Sequence, residues 1–185
     1  MSNEVVPIGL IGDTGLVGKE IDKILVHHDK VKVVFRQNSE RRINCVDDCV
    51  LVFLATKDNV SIAQVAELLP KAKRLIDMSG AFRIPPNQFE QSYGIKHTAP
   101  ELFEHAIYGL PAYFKEAITE AQLVANPGCY AAAVVLALRP LEQLAEGPII
   151  IKATSGNSGA RKEAEAISSE ETYSHGTKHK HFPCP

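Results

Sequence analysis

Neither sign of charge dominates this chain: 20 Lys and Arg stand against 22 Asp and Glu, a net charge of −2 over 185 residues. Such a balance gives no broad basic surface for nucleic acid or an anionic membrane. No apolar run approaches the roughly 20 residues that a membrane-spanning helix needs. The opening Met1-Ser2-Asn3-Glu4 has neither the basic nor the apolar region of a secretory signal. Cysteine is scarce, and its four irregular positions suit a reducing compartment better than a disulfide framework. Internal repeats and low-complexity tracts are absent as well. What remains is 45% hydrophobic and 23% charged, the composition of an ordinary globular protein. The expectation is a cytoplasmic enzyme or binding domain, long for one domain and short for two.

The apolar segments alternate in type. Residues 5–11 form a short run leading into glycines, as a buried strand does, and residues 16–26 carry Leu16, Val17, Ile21, Ile24 and Leu25 at helical spacing. Strands are predicted at 31–35, 50–55 and from Leu75-Ile76, and a helix at 60–69. That order implies a Rossmann-type, doubly wound parallel sheet with helices on its faces. Between Ala81 and Phe114 the pattern breaks at Pro85-Pro86, Pro100 and Pro111, and loops with short elements are expected. Residues 122–125 read as the last strand of this unit and 130–144 as a long helix. A strand at 149–153 and a polar helix at 160–168 would begin a second α/β domain.

Gly12-Asp13-Thr14-Gly15-Leu16-Val17-Gly18 lies where the first strand meets the first helix. A dinucleotide pyrophosphate binds at such a junction, because glycines permit a tight turn and close approach to a helix N-terminus. The spacing is GxxGxxG, and a plain tight turn is the competing reading. Gly12, Thr14, Gly15, Leu16 and Val17 are therefore candidate cofactor residues. The second strand ends in Phe35-Arg36-Gln37-Asn38-Ser39, with a cation where NAD-binding folds place an acid for the ribose 2′-OH. Arg36 and Ser39, with Arg41 close behind, favour a 2′-phosphate and hence NADP; a solvated loop charge is the plainer alternative.

Asn126-Pro127-Gly128-Cys129 separates an apolar stretch from the Ala-rich run. Proline and glycine end the strand, and Cys129 is predicted in the first turn of a helix. The free N–H groups and positive dipole end there favour thiolate over thiol. Such a thiolate can attack an acyl carbon, with nearby N–H groups to hold the oxyanion. A buried structural cysteine is the alternative.

Taken in order, these segments resemble the N-acetyl-γ-glutamyl-phosphate reductase family of the semialdehyde dehydrogenase group. The likeness rests on the glycine loop, Ile76-Asp77-Met78-Ser79-Gly80-Ala81-Phe82-Arg83, Tyr108-Gly109-Leu110-Pro111, Asn126-Pro127-Gly128-Cys129-Tyr130, Ser155-Gly156-Asn157-Ser158-Gly159 and His179-Lys180-His181-Phe182-Pro183. The resemblance implies an NADP-binding Rossmann domain over 1–125 and the incomplete start of a catalytic, substrate-binding domain over 126–185. It implies Cys129 as nucleophile, His179 as acid and base, and Arg83, Asn126, Ser155 and His181 toward the substrate. Ser158 and Gly159 would lie near the nicotinamide. The partners implied are a small-molecule acyl phosphate and inorganic phosphate, with homo-oligomers in the complete family form.

The chain departs from the family pattern in two places. Cys184 stands where the family motif ends in Glu, and Gly159-Ala160-Arg161-Lys162 is one residue short of the family's segment. Family chains also continue further, so the chain reads as a fragment or a natural short form; truncation is the expectation, with apolar side chains exposed and weak hydrogen-exchange protection over 150–185. Three other readings stand beside the reductase. An N-acetyl-aminoadipyl-phosphate reductase differs by one methylene in substrate, and a non-catalytic nucleotide-binding module would follow from truncation. His175, His179, His181 and Cys184 could ligate a transition metal, but their spacing fits no common zinc module, so no metal is expected. Cys45 and Cys49 lack a partner pair and read as buried or semi-exposed thiols.

Overall fold

Short Val/Leu/Ile runs that cannot satisfy their backbone alone assemble into one sheet, and the computed structural model describes it over residues 5–144 and 149–151. In chain order the elements are β1 (Val6–Ile11), α1 (Leu16–Val26), β2 (Val31–Gln37), β3 (Arg42–Ile43), β4 (Leu51–Leu54), α2 (Asp58–Leu68) and β5 (Leu75–Asp77). There follow α3 (Pro86–Tyr93), β6 (Ala106–Tyr108), α4 (Pro111–Glu120), β7 (Leu123–Ala125) and α5 (Cys129–Leu138). A 3-10 turn occupies Val46–Asp48, and short 3-10 helices occupy Pro100–His105 and Arg139–Leu144.

The strand order is β3-β2-β1-β4-β5-β7-β6. Every pairing is parallel except β2 with the two-residue β3. The central strands are covered on both sides, as parallel strands flanked by helices must be. Leu10, Val52, Leu54, Leu75, Leu123 and Ala125 are all fully buried. The chain leaves β1 in one direction through α1 to β2 and returns past it to β4. The carboxyl ends of β1 and β4 therefore flank the point where the winding reverses, where α/β sheets place ligands.

α1, β1, β2, β4 and β5 fall where the sequence put them, while the two-residue β3 was not foreseen. The stretch 81–114 holds loops and short elements, as expected: α3, β6 and the start of α4. Its prolines are helix starters, with Pro86, Pro100 and Pro111 each at the first or second helical position. There the missing N–H has no intrahelical partner to lose. The run 130–144 is shorter as an α-helix than predicted. α5 stops at Leu138, and the remainder, with Pro140 in it, forms a short 3-10 helix. Residues 149–151 show no strand; the rest of the strand predicted at 149–153 and the helix at 160–168 lie outside the described residues. None of the described helices is long and apolar enough to cross a membrane.

The chain divides into two compact units, Met1–Gly128 and Cys129–Pro185. The first contains all seven strands among the described residues. The second is described over α5, the 3-10 helix that follows it and residues 149–151.

One buried group gives the first unit a pH dependence. His97 is 2% exposed and sits edge-on between the Phe82 and Phe89 rings. Its Nε2 lies 3.0 Å from the Ala81 carbonyl and must donate to it, so Nδ1 carries a bare lone pair. Nδ1 is buried with no hydrogen-bond partner. Burial lowers the His97 pKa, against the upward pull of the Ala81 carbonyl, Glu90 and Glu101. Because the unfolded ring takes its proton near pH 6.5 and the folded ring later, stability is present above that pH. It is lost as pH falls from there through the folded value. Urea melts between pH 7.5 and 5.5 should show this loss, with a slope of at most about 1.4 kcal/mol per pH unit from one proton. In His97→Gln the slope over that range should shrink; an unchanged slope refutes the assignment.

Candidate active site

β1 ends at Ile11, and its successor Gly12 turns the chain with φ of +85°. The loop is stitched to both neighbouring strands. Gly12 N–H donates to the Gln37 carbonyl at 2.7 Å, and Ala55 N–H to the Ile11 carbonyl at 2.8 Å. A Cβ at Gly12 would stand 2.8 Å from the Ala55 carbonyl carbon, and one at Gly18 2.9 Å from Asp13 Cα and nearer still to the Gly12 carbonyl. Those two glycines are required by the fold itself. Gly15 is different: it has φ −74° and ψ 167°, open to any residue. Its nearest Cβ neighbours would be at 3.5 and 3.8 Å, ordinary contact. Gly15 directly precedes α1, whose first residues are Leu16 and Val17, both exposed, as is Thr14. A bare backbone here leaves room for a ligand against the amides that open the helix.

The second residue of the loop, Asp13, is a functional candidate that the sequence analysis missed. Its side chain is 4% exposed, and it draws the end of β2 onto the loop. Asn38 Nδ2 donates to Oδ1 at 2.8 Å, Arg41 Nη2 donates to Oδ2 at 2.8 Å, and Arg36 Nη1 lies 3.6 Å from Oδ2. Arg36 also donates through Nη2 to Asp22 of α1 at 2.6 Å. Burial by itself raises the Asp13 carboxyl pKa, but Asn38, Arg41 and Arg36 outweigh it and hold the group below its ordinary range. Hydrogen bonding to Asp22 raises the Arg36 pKa in turn. Arg36 is thus neither a simple solvated charge nor an uncommitted cation. Ser39 is exposed in the turn beyond β2. Asn38 shapes that turn, its Oδ1 accepting from the backbone of Glu40 and Arg41 at 2.9 and 3.0 Å.

A second polar centre forms at the carboxyl ends of β5 and β7. Asp77 is fully buried and accepts from Ser61 Oγ at 2.6 Å, Ser79 N–H at 2.9 Å and Ser79 Oγ at 2.7 Å. Burial drives its pKa up, and these donors with the Arg83 charge pull part of that back. Gly80 N–H donates to the buried Asp58 at 2.6 Å. The loop after β5 is thereby fixed from below, and it carries Arg83. Arg83 Nε donates to the Asn126 carbonyl and Nη2 to the Met78 carbonyl, both at 2.7 Å. Nη1 faces Gly128, where a Cβ would stand 3.1 Å away. Asn126 N–H donates to the Asp77 carbonyl at 2.8 Å, and its side-chain Nδ2 to the Pro127 carbonyl at 3.2 Å. Arg83 therefore braces the Asn126-Pro127-Gly128 segment, a role its sequence position did not reveal.

In the second unit Cys129 is the first residue of α5 and is exposed, as the sequence predicted for a helix start. Cys45 is exposed, with its thiol 2.9 Å from Asp47 Oδ2. Cys49 is buried, and burial, with Asp48 and Cys45, pushes its pKa to about 11, which keeps it an inert thiol. Ser155, Ser158, Gly159, His175, His179, His181 and Cys184 lie outside the described residues. Of the groups that sequence reading passed over, Asp13 was the most findable, since an acid inside a phosphate-type loop needs a partner. Asp77 and Ser79 show only as an Asp-x-Ser turn.

Residues 37–121 match the family model for the semialdehyde dehydrogenase, NAD binding domain. An N-acetyl-gamma-glutamyl-phosphate reductase of Thermus thermophilus is 35% identical over 95% of this chain and 59% of that protein. The reductase of the same name from Nitrosomonas eutropha is 36% identical over 87% of this chain and 55% of its own. A putative (LysW)-L-2-aminoadipate/(LysW)-L-glutamate phosphate reductase of Pyrococcus horikoshii is 33% identical over 86% of this chain and 53% of its own. The chain spans little more than half the length of these curated relatives. Among solved structures, aspartate semialdehyde dehydrogenase II of Vibrio cholerae superposes with a TM-score of 0.58 at 18% identity. That match covers 76% of this chain and 47% of that one, and it is a likeness of fold. By its identity to relatives along almost its entire length, the chain belongs to the N-acetyl-gamma-glutamyl-phosphate reductase family.

Proposed function

We propose that the chain carries the cofactor site and the nucleophile of an NADP-dependent acyl-phosphate reductase of the cytoplasm. Its reaction is the reduction of N-acetyl-γ-glutamyl phosphate to N-acetylglutamate semialdehyde, a step of arginine biosynthesis. The observation that carries this reading is Cys129, exposed as the first residue of a ten-residue helix directly after Asn126-Pro127-Gly128. Residues 1–125 form the cofactor domain in this reading, and 126–185 begin the substrate domain.

The residues present fit a dinucleotide. Gly15 leaves a place that none of the described residues fills, at the N-terminus of α1 and at the reversal of the winding. Gly12, Thr14, Gly15, Leu16 and Val17 would hold the pyrophosphate, and Arg36 and Ser39 the adenosine end. Ser158 and Gly159 stand as further cofactor residues by family likeness. When bound in its reduced form, the cofactor supplies the hydride.

The chain's own part is acyl transfer. Cys129 Sγ attacks the acyl carbon, the C–O bond to phosphate breaks, and a thioester on Cys129 remains. Backbone N–H groups at the start of α5 can steady the oxyanion. After reduction, the hemithioacetal on Cys129 loses its hydroxyl proton, the C–S bond breaks, and aldehyde and thiolate separate. His179 takes and returns these protons, as an imidazole can near neutral pH. Arg83, Asn126, Ser155 and His181 serve the substrate. Arg83 does so through the corner of its guanidinium that faces Gly128, its other nitrogens being engaged by the Met78 and Asn126 carbonyls.

A second reading, reduction of an aminoadipyl phosphate of lysine synthesis, is favoured by the likeness to the Pyrococcus horikoshii protein. The substrates differ by one methylene, which a pocket discriminates by only about 1–3 kcal/mol. The reverse assay tests both. The full chain with NADP, phosphate and N-acetylglutamate semialdehyde should form NADPH, and should do so more slowly with the aminoadipate homologue. Faster turnover of the homologue transfers the assignment to lysine synthesis. Cofactor binding without turnover of either leaves a non-catalytic nucleotide-binding module.

A further inference from the structure

We propose that Asp13 sets the cofactor selectivity of this chain by neutralising the two arginines that would otherwise grip a 2′-phosphate. The inference rests on the cofactor reading above and goes beyond it, because it moves the deciding residue from β2 into the glycine loop.

Four charged side chains are in contact at the end of β2. Arg36 and Arg41 meet Asp13, and Arg36 meets Asp22. Two guanidiniums face two carboxylates, so the cluster is neutral. This is the end of the site where α/β dinucleotide folds read the adenosine ribose. An uncommitted arginine there attracts a 2′-phosphate dianion, whereas a carboxylate accepts from a 2′-hydroxyl and repels the phosphate. Here the acid that such folds usually place at the end of β2 comes from the glycine loop instead, and it reaches the same place. Its side chain is 4% exposed, while Arg41 is 52% exposed. Asp13 is therefore anchored and Arg41 is the partner that can swing away.

A 2′-phosphate must compete with Asp13 for Arg41 and Arg36, whereas NAD need displace nothing. The preference for NADP is accordingly weaker than Arg36 and Arg41 would give by themselves. Asn38 helps hold Asp13 in place, donating to its other oxygen at 2.8 Å. An amide at position 13 would keep the oxygen that accepts from Asn38 and put an NH2 group where Oδ2 now accepts from Arg41, removing the charge and that acceptor together.

The test is calorimetric titration of the full chain with NADP and with NAD at low salt, for the wild type, Asp13→Asn and Arg41→Gln. Asp13→Asn should raise the NADP-to-NAD affinity ratio about tenfold, because charge-assisted contacts to phosphate are then released. Added salt should erode that gain. Arg41→Gln leaves Asp13 less opposed and should shift the ratio toward NAD; being an exposed side chain, it keeps the test open if the Asp13 variant fails to fold. In the Asp13→Asn background, Arg41→Gln should cancel most of the gain. A ratio unmoved by both single variants, or moved toward NAD by Asp13→Asn, overturns the proposal and leaves the cofactor reading intact. A wild-type chain that binds neither dinucleotide overturns both.

Discussion

Replacing Cys129 by serine is expected to lower turnover at least about 1,000-fold, since a neutral hydroxyl is a far weaker nucleophile than a thiolate and a poorer leaving group. Affinity for the cofactor should stay within about threefold, because the glycine loop is built from β1 and α1 of the first unit and owes nothing to the sulfur. The two measurements together separate a chemical role from a structural one. A cysteine needed only for packing would, when changed, alter melting and cofactor binding alongside turnover. Wild-type turnover in the serine variant sinks the nucleophile assignment, and with it the observation on which the proposed function rests.

The second large effect divides the three glycines of the loop by what each one meets. Gly18→Ala drives a methyl group into the backbone of Gly12 and Asp13, atoms that cannot swing aside as a side-chain tip can. Overpacking of this kind costs about 1–3 kcal/mol or more. Gly12→Ala adds a strained positive φ to a clash with Ala55, so its loss should be at least as large. Gly15→Ala meets only ordinary contacts and should change stability by less than about 1 kcal/mol. Its methyl group nevertheless occupies the approach to the helix N-terminus, and cofactor affinity should fall by about tenfold or more. Urea melts and cofactor titrations on the same three variants decide the matter. If Gly15→Ala binds the cofactor as the wild type does, no ligand approaches there. If Gly18→Ala melts like the wild type, the helix and loop can part more easily than their geometry implies.

Much of the fold was legible because its signals are local. Helix α1 was readable from Leu16 to Val26 since one period of apolar residues and one glycine loop fix it. Even so, Leu16, Val17, Ile24 and Val26 of that helix are exposed, and Gly18 is its buried position. Apolar spacing reports the helix but not which face the protein covers. The prolines at 86, 100 and 111 marked the breaks between short elements but not that each of them opens a helix. The same ring that breaks a helix interior opens a helix at its first turn, and residue type alone does not say which position it occupies. Cys129 was predicted at a helix start from four residues, because Asn-Pro-Gly ends a strand by backbone chemistry alone.

By itself, then, the sequence determined the alternation of strands and helices, the place of the glycine loop, the helix start at Cys129 and the family likeness. All of these depend on neighbours in the chain or on ordered motifs. Only the tertiary structure decided how distant charges share their partners. Asp13 and Arg41 are separated by 28 residues, yet meet at 2.8 Å. Arg83 reaches across 43 residues to the Asn126 carbonyl. Arg36 looked like an unclaimed cation because nothing in its own segment announces that Asp22 of α1 and Asp13 of the loop will converge on it. Charge is a property of a residue, but its availability is a property of the sheet that brings those residues together, and parallel strands bring together residues that are far apart in sequence.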